Sequence, residues 1–352
     1  MLIDLRSDTC TKPTARMRHA MATADVGDDG YGEDPTVNKL EALAAARLGM
    51  EAACLVTSGI QGNLTAILAQ CAAGQKVILG DESDIYNYEA GGLSVLGGLV
   101  MHPVSTLANG TLPLDRVAMA IGDPSDPQCA PATLITVETP HVRGGGIALP
   151  IRYLEELRQL AIRFRLKIHL DGARIFNASA ALGVDVARIS SYADTVQICL
   201  SKSLGAPIGS VVVGDRETIG RARRWRKMLG GTMRQAGVIA AAGIVAIEEM
   251  SQRLEEDHRR TYKLAVALSS IPGIILDLTT VQTNMVFFRL QDMAERTSEF
   301  LAELNARGIR MNELGYRKIR AVVTYHHSDE DIDIAADAIR QVTASMRNRS
   351  LP

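Results

Sequence analysis

Four short stretches of the chain carry residue types that could do chemistry together. LSKSLGAP at 200–207 sets Lys202 in a small-residue loop directly after the apolar run TVQICL. HLDGAR, further upstream, puts Asp171 at the end of the run KIHLD with Arg174 just beyond it. Ser58 and Gly59, in TSGI, introduce a helical pattern whose free N–H groups and dipole suit an anion, and Gly59 lets the backbone come close. GGTMRQ carries Arg234, with Lys227 upstream. Each stretch also has an ordinary reading: a solvated lysine, an aspartate N-cap, a plain helix start, surface cations.

Together they supply an amine for a Schiff base, an acid for a ring nitrogen, a helix N-terminus for a phosphate and an arginine for a carboxylate. That is the set pyridoxal 5'-phosphate requires. An ionised Asp171 would keep the ring nitrogen protonated, so that the ring withdraws electrons from the substrate's α-carbon. Burial beside a cationic ring would help Lys202 lose its proton.

The elements that must position these groups follow an α/β pattern, with helical periodicity alternating with short β-branched runs. Leu64, Ile67, Leu68 and Cys71 share one face of a helix opening after TSGI, and the strand KVILGDE follows. ATLITVETP predicts a strand ending at Glu138. Ile151, Leu154, Leu157, Leu160 and Ala161 make the apolar face of an amphipathic helix before KIHLD. GSVVVGD, a charged helix from ETIG to MLGG and the buried helix AGVIAAAGIVAI come next. Beyond about residue 250 the texture changes: TNMVFFRL and KIRAVVTY read as strands around a helix near 293–307, and SDED predicts a capping box. The expected division is a large domain at 1–250, with a mainly parallel sheet, and a small C-terminal α+β domain at 251–352. Ligands of such open sheets bind at the carboxyl ends of the strands.

Composition narrows the partners. The 352 residues hold 38 Lys+Arg against 40 Asp+Glu, a formal charge of -2, so no basic field points to nucleic acid. No apolar run reaches the roughly 20 residues that span a bilayer. Cys10, Cys54, Cys71, Cys129 and Cys199 form no CxxC pair, and the charged start MLIDLRSDTC does not read as a signal peptide, so a reduced, cytoplasmic protein is expected, with a small-molecule substrate and no metal.

The chain resembles the low-specificity L-threonine aldolases of the β-eliminating lyase group over nearly its whole length. The resemblance rests on DLRSDTCTKPT at 4–14, VGDDGYGEDPTVNKLE at 26–41, GDESDIYNYEAGG at 80–92, HLDGARIFNA at 169–178, SKSLGAPIGS at 201–210 and RRWRKMLGGTMRQAG at 223–237. It implies an aspartate-aminotransferase-like fold (fold type I) and a homotetramer of dimers with shared active sites. It makes Lys202 the Schiff-base lysine, Asp171 the partner of the pyridine nitrogen, and Ser7, Arg174 and Arg320 the carboxylate binders. It gives Gly59 and Ile60 to the phosphate, Lys227 and Arg234 to the neighbouring subunit's cofactor, and Tyr31 to the site wall. His141 would stand near the substrate hydroxyl as a proton acceptor, directly or through water, while Glu89 is read as structural. The implied reaction cleaves a β-hydroxy-α-amino acid such as L-threonine or L-allo-threonine to glycine and an aldehyde.

Departures from the family pattern gather around the hydroxyl. Asp84 replaces a histidine that stacks on the cofactor ring. A carboxylate there adds negative charge near Asp171 and the phosphate, so its pKa must rise or a cation must offset it, and it could serve as a base. Thr139, Pro140 and Val142 alter the usual ENTHNRAGG, and Ile60 replaces a common threonine. The same lysine, aspartate and arginines would also serve a β-eliminating lyase or dehydratase, a racemase or an aminotransferase. A catalytically silent homologue fits the altered residues, but the full set of Lys202, Asp171, Arg174 and Arg320 argues against it. No GxGxxG follows an early strand, which sets aside a nicotinamide-dependent dehydrogenase.

Overall fold

A computed structural model describes residues 2–123 and 125–349. Seven strands form the central sheet, in the order Ala52–Val56, Ser210–Gly214, Thr195–Cys199, Lys167–Asp171, Ala132–Glu138, Lys76–Gly80 and Val100–Val104. All neighbours run parallel except Ser210–Gly214, which is antiparallel to both of its partners. Thr195–Cys199 and Ser210–Gly214 are buried along their whole length. That is why they read as unbroken apolar runs rather than alternating ones.

Helices cover the sheet where the periodicity placed them. Ile151–Phe164 buries Leu154, Leu157 and Ala161, and Gly237–Glu248 is buried along most of its length. The turn between Asp171 and its helix is tight: a Cβ at Gly172 would lie 3.0 Å from the Gln197 carbonyl oxygen on the adjoining strand.

A second core sits beside this one. The antiparallel strands Asn312–Glu313, Ile319–Val322, Met285–Leu290 and Ile274–Ile275 pack on the helices Leu254–Ser269, Thr297–Ala306 and Asp329–Asn348. The capping box is present: Ser328 accepts from the Asp331 amide, and the Asp331 carboxylate accepts from the Ser328 amide. The N-terminal residues Ile3 and Leu5 join this second core rather than the first, through a parallel pairing of Ile3–Asp4 with Ile309–Arg310. The chain thereby crosses between the two cores at residues 6–12, and Asp8 is carried into the gap.

Candidate active site at the carboxyl edge of the sheet

Two strand ends and one helix start converge on a cavity of about 470 Å³, lined by Gly59, Ile60, Asp84, Glu89, Asp171 and Lys202, with Asn63 and Gln197 behind them. Asp171 ends its strand opposite Gln197 in the parallel ladder, and Lys202 lies three residues past Cys199, the end of the adjoining strand. The two motifs singled out in the sequence are therefore brought together by adjacent strands ending at the same edge.

Asp171 is 4% exposed and held on both oxygens, by the Ala173 amide at 3.1 Å and Asn63 Nδ2 at 3.0 Å. The Asn63 orientation is fixed in turn, since its Oδ1 meets His169 Nε2 at 3.0 Å and His169 Nδ1 meets Thr195 Oγ1 at 2.8 Å. Burial lowers the His169 pKa to about 3. The ring is neutral and adds no charge beneath Asp171.

Lys202 is half-buried, and among the described residues its Nζ makes neither a hydrogen bond nor an ion pair. Burial pulls its pKa down, as the sequence suggested, but nearby acidic groups, Cys199, Asp171 and Asp8, outweigh that and leave it raised. In the protein alone the amine is an ammonium.

Ser58 caps the helix Gly59–Leu68, its side chain accepting from the Gln61 amide. The amides of Gly59 and Ile60 lie in the first turn, where no intrahelical acceptor exists. A Cβ at Gly59 would come within 2.9 Å of Cys199 Sγ, so the glycine lets the helix start sit directly on the strand edge.

The residues expected to bind a carboxylate separate into two kinds. Arg174 and Asp8 form a fully buried bidentate pair, at 2.6 and 2.7 Å, and Ser203 Oγ also donates to Asp8 at 2.8 Å. Burial opposes ionisation of Asp8, but Arg174 overcomes it and depresses the carboxyl. Arg320, on Ile319–Val322, donates through Nη2 to the Arg6 carbonyl at 2.9 Å, while its buried Nε has no partner. Burial, then the charge of Arg174, brings Arg320 down to about 10. Ser7 caps the short turn Asp8–Cys10 and accepts from the Thr9 amide at 3.2 Å.

Asp84 opens the one-turn helix Asp84–Asn87, and its carboxylate has no hydrogen-bond or ion-pair partner among the described residues. Arg174 and Arg320 both feel its negative charge and are the offsetting cations the substitution calls for. The electrostatic cost appears on neighbouring acids. Burial, then the charges of Asp84 and Asp171, raises Glu138; burial, then Asp171, raises Glu89 to about 8. Glu138 ties the region together, accepting from the Asp84 amide at 3.0 Å and the Val142 amide at 2.8 Å.

His141 is 3% exposed and locked in place: its amide bonds the Ile147 carbonyl at 2.7 Å, and a Cβ at Gly110 would lie only 2.7 Å from its own. Nδ1 accepts from the Gly144 amide at 3.0 Å, and burial lowers the pKa to about 4. The neutral ring therefore carries its proton on Nε2, which has no partner. That tautomer donates.

Tyr31, Lys227 and Arg234 stand apart on the surface; Tyr31 is 78% exposed and Arg234 pairs with Asp28 at 3.2 Å. The residues missed by sequence reasoning are Asp8, Asn63 and Glu138. Asp8 lay within the quoted motif DLRSDTC, an acid among candidate anion binders. Among the described residues, no cluster of His, Cys, Asp and Glu could hold a metal ion, and no helix is long and apolar enough to cross a membrane.

The β-eliminating lyase family model matches residues 4–291. Low-specificity L-threonine aldolase 1 of Arabidopsis thaliana is 42% identical, over 99% of this chain and 98% of its own, and the low specificity L-threonine aldolase of Escherichia coli (strain K12) is 42% identical over 98% of each. The solved threonine aldolase of Leishmania major shares the fold with a TM-score of 0.81 at 19% identity, covering 97% of this chain and 99% of that one. The chain belongs to the low-specificity L-threonine aldolase family of the β-eliminating lyases.

Proposed function

We propose that this protein is a pyridoxal 5'-phosphate-dependent aldehyde-lyase that cleaves L-threonine, L-allo-threonine or related β-hydroxy-α-amino acids to glycine and an aldehyde. The observation that carries this reading is the single cavity where an unpartnered lysine amine, an aspartate fixed on both oxygens and the bare amides of a helix start converge. These residues fit the cofactor: Lys202 for its carbonyl carbon, Asp171 for its pyridine nitrogen, Gly59 and Ile60 for its phosphate. When bound, the cofactor supplies an electrophilic carbon for an amine and a sink for the electrons released at Cα.

The chain's own residues do the rest. Arg320, with a free Nε, takes the substrate carboxylate, and Arg174 adds its charge while Asp8 holds its Nε and Nη2. His141 donates from Nε2 to the β-hydroxyl oxygen and positions it. Asp84, the partnerless carboxylate in the cavity, takes the hydroxyl proton as the Cα–Cβ bond breaks and the aldehyde carbonyl forms. Asp84 thus assumes the acceptor role that the family resemblance implies for His141, whose Nδ1 lone pair is spent on Gly144.

We infer in addition a cytoplasmic homotetramer. The reduced cysteines support the location, and the exposed Tyr31, Lys227 and Arg234 support contact with a second subunit's cofactor. The test is product analysis of the cofactor-loaded enzyme with L-threonine. Glycine and acetaldehyde in equal amounts are expected. A keto acid and ammonia without glycine would transfer the assignment to β-elimination.

A further inference from the structure

A second cavity, also about 470 Å³, opens between the carboxyl edge of the large sheet and the small antiparallel sheet. His141 and Arg143 line its inner wall, and Leu276, Phe287 and Leu314 give it an apolar floor. Arg143, in the lining of this cavity, reaches the catalytic cavity through Tyr88. Its guanidinium carbon lies 5.6 Å from the ring centres of both Tyr88 and Tyr316, and it donates to the Tyr88 hydroxyl, while Tyr88 itself lines the other cavity.

The charges of this cleft are not balanced. Arg143, Arg289 and Lys318 face only two carboxylates: Glu82 pairs with Arg143, while Asp277 accepts from the Thr279 amide at 2.9 Å and hydroxyl at 2.7 Å and keeps its charge. Arg289 and Lys318 also line the cleft, and among the described residues neither side chain has a hydrogen bond or ion pair. Burial, then the charge of Arg289, lowers the Lys318 pKa, a sign that the two cations crowd one space. An occupant with an apolar body and an anionic end would satisfy both features. His141, buried with Nε2 unpartnered, lines this same wall, so a hydroxyl held by it stands at the mouth of the cleft.

We propose that this cleft receives the part of the substrate beyond its β-carbon, and that it selects side chains ending in a carboxylate. The inference rests on the aldolase reading, because it takes the β-hydroxyl to sit at His141. Whatever extends past that hydroxyl then runs over Phe287 and Leu314 toward Arg289 and Lys318.

The experiment is condensation of glycine with aldehydes by the cofactor-loaded enzyme. Acetaldehyde serves as the reference. 3-Carboxypropanal, 5-carboxypentanal and 4-carboxybenzaldehyde are each compared with the uncharged, methyl-ended counterpart. At least one carboxylated aldehyde should exceed its counterpart about tenfold in kcat/KM, and Lys318→Ala with Arg289→Ala should erase that preference, about threefold per cation, with acetaldehyde changed less than about twofold. Lys318→Glu with Arg289→Glu should reverse the preference, which guards against a misfolded alanine variant. Turnover of acetaldehyde with no carboxylate preference in any pair, or a preference that survives both double variants, overturns the cleft assignment alone. Condensation of no aldehyde at all overturns the aldolase reading and the cleft with it.

Discussion

Replacing Glu89 with Gln should make the cofactor-free protein more stable as the pH rises. Glu89 is 6% exposed; its Oε1 accepts from Asn63 at 2.7 Å, its Oε2 has no partner, and burial followed by the charge of Asp171 moves its pKa from 4.5 to about 8. A folded state that holds this proton more tightly than the unfolded chain loses stability as pH climbs between those two values. At about 1.4 kcal/mol per pH unit, the penalty approaches 5 kcal/mol by pH 8. Gln has the shape of the protonated acid and keeps the acceptor for Asn63, so it removes the titration without removing the packing. Denaturant midpoints and slopes for wild type and Glu89→Gln, measured from pH 5 to 8.5, check this. The variant should match wild type near pH 5 and gain on it steadily above that. A difference that stays constant across the range would refute the reasoning, since it would mean that Glu89 ionises in the folded state as easily as in water.

Lys202→Ala should abolish glycine formation from L-threonine in the cofactor-supplemented protein; retained turnover would sink the role given to that lysine. Asp84→Asn should cost about 100-fold or more in kcat with little change in KM, because it removes a proton acceptor but not a binding contact. Asp84→His should also lower kcat; a large rise would mean the carboxylate marks a different substrate or reaction. Asp8→Ala strands the buried Arg174 and should destabilise the fold by about 3–5 kcal/mol at pH 7, measured by denaturation. The depressed Asp8 contributes stability that is fully present above its unfolded pKa near 3.8 and is lost as pH falls below it, so wild type and variant should converge in acid. With its pKa near 4, His141 is neutral from pH 5.5 to 9, and the kcat/KM profile of His141→Gln over that range should keep the wild-type shape at lower amplitude.

Much of this site was legible because the signals that mark it are local. Asp171 ends an element, Gly59 begins one and Lys202 lies just beyond one, and the element type is written in its own residues: five buried positions in TVQIC, a serine cap before Gly59, a small-residue loop after Leu200. A parallel sheet then brings such ends to one edge without further instruction. Asp8 and Asn63 belong to the other class. Asp8 meets an arginine 166 positions away, and Asn63 meets Asp171 108 positions away. Such pairings depend on how the N-terminal strand docks on the second core and on how the Gly59 helix lies over the sheet, and no periodicity encodes them. The His141 tautomer is further out of reach, since it is set by a backbone amide three residues on whose direction depends on the turn through Gly144, Gly145 and Gly146. The motif supplied a histidine; the turn sets it to donate, and that geometry is what supports the proposal that the aspartate at position 84 accepts the proton.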